Sequence, residues 1–280
     1  MQRDTSTKVL DIKDSVSPPR LHNKSAIIPD RLFNQLVDET ASTIDDFVLK
    51  AFGINGNGRE SIQCFLSMIG EHPALGSPGS TSIPGLLLLY TVCRVIKPEL
   101  IVESGVWIGS SLYTLRKACP NARIVGFDLD LSRLAFTDDS IELFEDEWSN
   151  CKLAIAGENN LCYFDDHINN CKRLKEASER GFRYAIFDDA PDVGNIHHYR
   201  YPGVPTVPMF WNNRLEPGDR IIWQQENSKR IIQYEHNQEN EHGLDRNVIQ
   251  AVHRFPEIPN LFNASVGDKY LVVLRRKENR

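Results

Sequence analysis

Three features of the sequence predict an α/β fold with a doubly wound, mostly parallel sheet and an N-terminal helical extension. From residue 97 onward, short apolar segments alternate with helix-length stretches, the pattern of β-α-β units. The first of these segments runs straight into a glycine turn and a helix start, PELIVESGVWIGSSLYTL. Two later segments end in paired aspartates, CYFDDH and AIFDDAP, and such strand ends gather along one edge of a parallel sheet.

The elements follow in order. Residues 1–27 are polar and carry Pro18-Pro19, an arm expected to be flexible or docked on another surface. Residues 28–96 are expected to form a helical lid or subdomain. Apolar residues between Pro29 and Met68 recur at helical spacing (Leu32, Leu36, Val37, Ile44, Phe47, Val48), enough for two or three amphipathic helices. A loop rich in Gly, Ser and Pro spans Leu75 to Pro84, and a helix is expected over Gly85 to Ile96. Residues 97–280 are expected to form the sheet domain. Its strands are predicted at Leu100–Val102, Ile124–Phe127, Ile141–Phe144, Leu161–Phe164 and Tyr184–Phe187. Two further strands, Arg220–Trp223 and Tyr270–Leu274, are expected to pair antiparallel and close it.

Composition narrows the function. The 280 residues carry a net charge of −6, with 25% charged and 41% apolar residues, the profile of an ordinary globular chain. Nucleic acid and anionic membranes call for a basic footprint, so a small-molecule partner fits better. The N-terminus lacks an apolar signal region, and the longest apolar run, Leu86 to Tyr90, is too short to span a bilayer. A cytoplasmic location is the expectation. Six cysteines stand singly without a C-x-x-C pair, so they are expected to be reduced and buried rather than disulfide-bonded or zinc-bound.

The glycine turn suits a nucleotide-type ligand. Gly105 lets the backbone turn sharply beneath it, Gly109 lets the helix approach closely, and the helix start receives a polar group. Glu103 at the strand end can accept from an ammonium group, while Ser110 and Ser111 can donate from the first turn. Trp107 stands where a dinucleotide fingerprint needs glycine, which argues against a pyrophosphate cradle and against NAD. The next strand ends in IVGFDLD, with Asp128 25 residues after Glu103, the place for an acid that binds ribose hydroxyls or caps the next helix.

Residues E-S-G-V-W-I-G-S-S, followed by IVGFDLD, resemble the cofactor loop of the catechol O-methyltransferase-like family, class I S-adenosylmethionine-dependent methyltransferases with a Rossmann-like fold. The likeness covers roughly residues 97–192. It implies S-adenosylmethionine, with Glu103 near the methionine amino group, Asp128 on the ribose, and Glu147 and Trp148 near the adenine.

Asp165, Asp166, Asp188 and Asp189 are expected to crowd the same crevice. Such carboxylates repel one another unless a cation sits among them, and oxygen ligands select a hard ion: Mg2+, with Mn2+ or Ca2+ as alternatives. The resemblance implies ligands more closely. Asp166-His167 matches the family's Asp-His pair and Asp188-Asp189 its Asp-Asn pair, so Asp166, Asp188 and Asp189 are the expected ligands, Asp166 also bordering the cofactor. The family's catalytic lysine is missing, because Ile168, Asn169 and Asn170 hold its place. His167, His197 and His198 are the substitute bases on chemical grounds. The loop IHHYRYPGVPTVPMFW is either a stiff wall over an acceptor or a packed surface loop.

The resulting expectation is a metal-dependent methyltransferase acting on a hydroxyl of a small molecule, with a homodimer as one arrangement for the N-terminal helices. Two alternatives stay open. One is a methyltransferase-like enzyme that transfers or cyclises the aminocarboxypropyl arm and releases methylthioadenosine. The other is a non-catalytic S-adenosylmethionine sensor.

Overall fold

Successive side chains of a strand face opposite sides of a sheet, and when both sides are apolar the sheet must be covered twice. The central strands of the main sheet meet that condition. The computed structural model describes residues 29–153, 155, 157–212, 215–225, 229–259, 261–262 and 264–276. The N-terminal arm, residues 1–27, lies outside them.

Three helices precede the sheet: α1 (Asp30–Phe52), α2 (Gly58–Ile69) and α3 (Ile83–Ile96). The first ends where Gly53 adopts φ 69° and returns its N–H to the Leu49 carbonyl, the left-handed stop that glycine supplies without strain. The third starts with Ser82 accepting from the Gly85 N–H and with Pro84 in its first turn. The strands are β1 (Leu100–Ser104), β2 (Arg123–Asp128), β3 (Ile141–Glu145), β4 (Leu161–Phe164) and β5 (Tyr184–Phe187). Helix α4 (Ser110–Ala118) joins β1 to β2, and α5 (Asn170–Arg180) joins β4 to β5. Only single 3-10 turns lie between β2 and β3 and between β3 and β4, where helix-length crossovers were expected.

Beyond β5 come α6 (Val207–Trp211), β6 (Arg220–Gln224), β7 (Ile231–Glu235), β8 (Ile249–Arg254) and β9 (Tyr270–Leu274). The main sheet has the order β3-β2-β1-β4-β5-β9-β8, with β1 to β5 parallel and β9 antiparallel to both neighbours. This is the Rossmann-like, mostly parallel sheet that the sequence predicts. The closing pair needs correction. Arg220–Gln224 pairs with Ile231–Glu235 in a separate hairpin, and the partner of β9 is β8. The β8 segment, IQAVHR, alternates apolar and polar residues at an edge, a weaker signal than the apolar run of β9.

The two faces fill separately. Ile101, Ile124, Leu161, Ile186 and Leu271 pack with α1 to α4 on one side, while Val102, Val125, Cys162, Ala185 and Val272 pack with α5 and α6 on the other. The N-terminal helices thus contribute to the main core. All six cysteines are free. No helix among the described residues is long and apolar enough to cross a membrane.

Candidate functional site

The strand order reverses between β1 and β4, and the C-terminal edge at that point holds a cavity of about 630 Å³. Open α/β sheets bind ligands at this kind of switch point. Gly105, Trp107 and Asp128 form one part of its lining, and Asp165, His167 and Asp189 a second. The Gly/Ser/Pro loop expected only as a connection forms a third, through Gly79, Ser80, Thr81 and Ser82.

Gly105 is required where it stands. Its φ is 92°, and a Cβ there would collide with the carbonyl of Asp165, so the β1 and β4 turns touch backbone to backbone. Three non-glycine residues at the cleft also have left-handed backbones: Trp107 (φ 52°), His167 (φ 56°) and Asp189 (φ 47°). They follow β1, β4 and β5 respectively, and local strain of this kind concentrates at functional sites. Asp128 accepts the Trp107 N–H at 2.7 Å and the Asp130 N–H at 3.0 Å, which fixes its carboxylate at the rim. The Trp107 ring, stacked under Arg133 at 4.6 Å, reaches the Pro78 carbonyl.

Glu103 is wholly buried and is not among the residues that line the cavity. Ser111 donates to one of its oxygens, and the other, Oε2, has no hydrogen-bond partner. Burial pushes its carboxyl up to about 8, the Asp128 charge adding to the shift and the Ser111 bond opposing it. Ser111→Ala is expected to cost about 1 kcal/mol in a urea titration at pH 8 and to raise the Glu103 pKa further. Unchanged stability would show that this bond contributes nothing.

The acidic wall divides into two groups. Asp165, His167 and Asp189 bring one ligand atom each to within 4.8 Å of one another. Burial and the neighbouring carboxylates of Asp188 and Asp189 push Asp165 well up. Burial and Asp188 push Asp189 up to about 6, against the pull of Lys269 and His167. Asp166 and Asp188, expected as ligands, are engaged elsewhere. Asp166 accepts Arg173 Nε at 2.8 Å and Ser104 Oγ at 2.6 Å. Asp188 pairs with buried Lys269 and accepts Tyr163 Oη at 2.5 Å and Thr81 Oγ1 at 3.0 Å. Of the three expected ligands only Asp189 belongs to this cluster, which takes Asp165 and His167 in place of Asp166 and Asp188.

The other expected residues fall partly on the cavity and partly away from it. Trp148 is fully buried in the core, under Arg180 at 4.2 Å and beside Phe164 at 5.1 Å, so it does not face the cavity. Glu147 does, held by Arg173 at 2.5 Å. Ser110 and Ser111 are buried behind the wall, Ser110 offering its carbonyl to His72. Gly109 caps α4 with φ 81° and packs close to Leu134 and Phe136. His197 is exposed and away from the cavity, while His198 lines a smaller cavity beyond Asp189. Within the stretch that lacks the expected lysine, Asn169 caps α5 by accepting from Cys171 N and Lys172 N.

Sequence reasoning missed Lys269, Arg173, Tyr163 and Thr81. Lys269 precedes an apolar strand, which places its start on the cleft edge once that strand is antiparallel. A Cβ at Gly85 would come within 2.5 Å of Lys269 Cε, so the glycine in the first turn of α3 leaves room for the lysine stem.

No protein-family model matches the chain, and no curated protein matches it. Solved structures do. One of cmcI with SAH is 22% identical over 41% of this chain and 62% of its own, with a TM-score of 0.34; the chain thus spans less than two thirds of that protein. An SAH-bound methyltransferase from Podospora anserina is 16% identical over 91% of this chain and 100% of its own, with a TM-score of 0.41. An O-methyltransferase from Bacillus cereus in complex with SAH is 15% identical over 86% and 100%, also with a TM-score of 0.41.

Proposed function

We propose that the chain is an S-adenosylmethionine-dependent methyltransferase that uses a divalent cation and acts on a hydroxyl of a small molecule. The observation that carries this reading is that one cavity at the switch point is lined both by the nucleoside-type wall of Gly105, Trp107 and Asp128 and by the Asp165, His167 and Asp189 cluster.

The residues fit the cofactor. An unpartnered carboxylate oxygen of Glu103 is buried at the end of β1, next to the cavity-lining Ser104 and Gly105 in sequence, suited to an ammonium group. Asp128 stands at the end of β2, suited to ribose hydroxyls. Trp107 occupies the turn that a pyrophosphate would need for itself, so the ligand is one without phosphates.

The residues also fit a hard dication. Lys269 brings one positive charge to Asp165, Asp188 and Asp189, which leaves an excess of negative charge, and the raised carboxyls of Asp165 and Asp189 register it. When bound, such an ion supplies Lewis acidity that lowers the pKa of an acceptor hydroxyl. Asp165, His167 and Asp189 would hold it, with Lys269 keeping Asp188 neutralised behind them. The nucleoside wall would hold the cofactor within attacking range of that hydroxyl, and proximity would supply much of the rate.

The test is a calorimetric titration of the full chain with S-adenosylmethionine, with Mg2+ and again with EDTA, followed by analysis of the products. Asp128→Asn is expected to weaken binding about 10- to 100-fold, the range for losing charge-assisted hydrogen bonds, while thermal melting stays unchanged. Methylthioadenosine without an added acceptor would favour cyclisation or aminocarboxypropyl chemistry over methyl transfer. Absence of binding in both buffers would refute the reading.

A further inference from the structure

A second cavity, of about 340 Å³, lies beside His167 and Asp189. Those two residues line both cavities, so a molecule seated in the second one meets the acidic cluster at the residues it shares with the first. Its remaining walls come from the loop after β5, with His198, Tyr199, Arg200 and Tyr201, and from Gln225 after β6.

This wall is built rather than loose. Tyr199 donates its hydroxyl to Asp268 at 3.1 Å, and its carbonyl accepts the Trp223 indole N–H at 3.0 Å. The Tyr201 ring carries Arg200 at 5.0 Å to its centroid and Arg230 at 5.6 Å, and Arg230 donates to the Tyr201 hydroxyl at 2.8 Å. Arg200 differs from the other groups of the wall. Its guanidinium stacks on Tyr201 and makes no hydrogen bond or ion pair among the described residues. In a chain of net charge −6, an uncommitted guanidinium faces a cavity whose far end is carboxylate.

From this arrangement we infer that the second cavity is the acceptor site and that the acceptor is a hydroxylated aromatic carboxylic acid, an inference that rests on the methyltransferase reading above. The carboxylate meets Arg200, whose planar fork matches two carboxylate oxygens. The flat ring lies along the tyrosines. The hydroxyl points the other way, to Asp189 and His167, the position where a methyl group from the larger cavity would arrive. A neutral phenol would fill the same space and leave Arg200 unused. A cationic amine would meet Arg200 as a like charge, so the wall selects by sign as well as shape.

The experiment uses the full chain and three probes of increasing length, 3-hydroxybenzoate, 4-hydroxybenzoate and 4-hydroxycinnamate, each beside its methyl ester. Binding is measured by calorimetry or ligand-observed NMR, with and without S-adenosylhomocysteine. At least one acid is expected to bind about tenfold or more tightly than its ester, as a charge-assisted pair provides. Arg200→Gln is expected to bring acid and ester to within about twofold, whereas Arg200→Lys keeps part of the preference because it keeps the charge. The S-adenosylhomocysteine affinity is expected to stay constant across these variants. Equal binding of acids and esters by the unaltered protein, no binding of any acid, or a preference that survives Arg200→Gln, would each overturn the inference. Failure to bind S-adenosylhomocysteine would instead sink the cofactor reading, and the acid-to-ester ratio would still decide the role of Arg200.

Discussion

Lys269→Met lowers the unfolding free energy by about 3–5 kcal/mol at pH 8, the range for breaking one side of a buried ion pair. Lys269 and Asp188 are both buried and paired with each other. Burial alone pushes the Asp188 carboxyl up. The Lys269 ammonium, with Tyr163 and the Asp189 N–H, outweighs this and holds it below the usual carboxylate range. That stabilisation is present above the unfolded value near 3.8 and is lost only as the pH falls through the lower folded value. Without the ammonium the sign reverses. Asp188 then sits desolvated beside Asp165 and Asp189 and must bind a proton to remain buried. Its folded value rises above the unfolded one, and the deficit of the variant grows as the pH rises. Urea titrations at pH 5 and pH 8 check this, the loss being smaller at pH 5. Lys269→Met combined with Asp188→Asn is expected to recover most of the stability, since the asparagine amide oxygen can still accept from Tyr163 and Thr81. Equal losses in the single and double variants would mean that the lysine acts through its packed stem and not through its charge.

Lys269 also illustrates what the sequence hides. The β1 turn was legible because strand, glycine and helix start follow one another directly, so Glu103, Gly105 and Asp128 fall into place from local rules. Residues that converge from distant segments were harder. Which carboxylate of Asp165-Asp166 faces the cluster depends on the left-handed turn at His167 (φ 56°). A shift of one residue exchanges their roles, and the composition of the pair is blind to it. Lys269 reaches the cleft because β9 runs antiparallel between β5 and β8, and the sequence assigned β9 a different partner. Trp148 was expected at the adenine from its place after β3, whereas the core between Phe164, Phe182 and Arg180 takes the whole ring. Arg173 carried no signal among the several basic residues of α5. In the structure it joins Glu147, Asp166 and Glu176 at 2.5–2.8 Å, and so holds Asp166 in an ion pair at the cavity lining.

Glu103→Gln stabilises the ligand-free protein at pH 8 by up to a few kcal/mol, an effect that vanishes at pH 4.5. The carboxyl lies at about 8 in the folded chain against 4.5 as an ordinary glutamate. Each step of one in pKa is worth about 1.4 kcal/mol, so burying the ionised form costs on the order of 5 kcal/mol. Because the folded value is the higher one, the stability this group contributes is fully present below pH 4.5 and declines as the pH rises, until it is lost above about 8. Urea midpoints from pH 5 to pH 9 are expected to fall in the unaltered protein and to stay flatter in the variant. Binding reverses the preference. If an ammonium group of the cofactor approaches Oε2, the ionised carboxylate becomes the favoured form, and association near pH 7 releases close to one proton. Calorimetry in buffers of different ionisation enthalpy counts that proton directly. The glutamine variant, which cannot supply it, is expected to bind S-adenosylmethionine about tenfold or more weakly, the loss of one charge-assisted contact. Binding without proton release would separate the two halves of the argument, leaving Glu103 as a buried acid that strains the empty fold and plays no part in holding the cofactor.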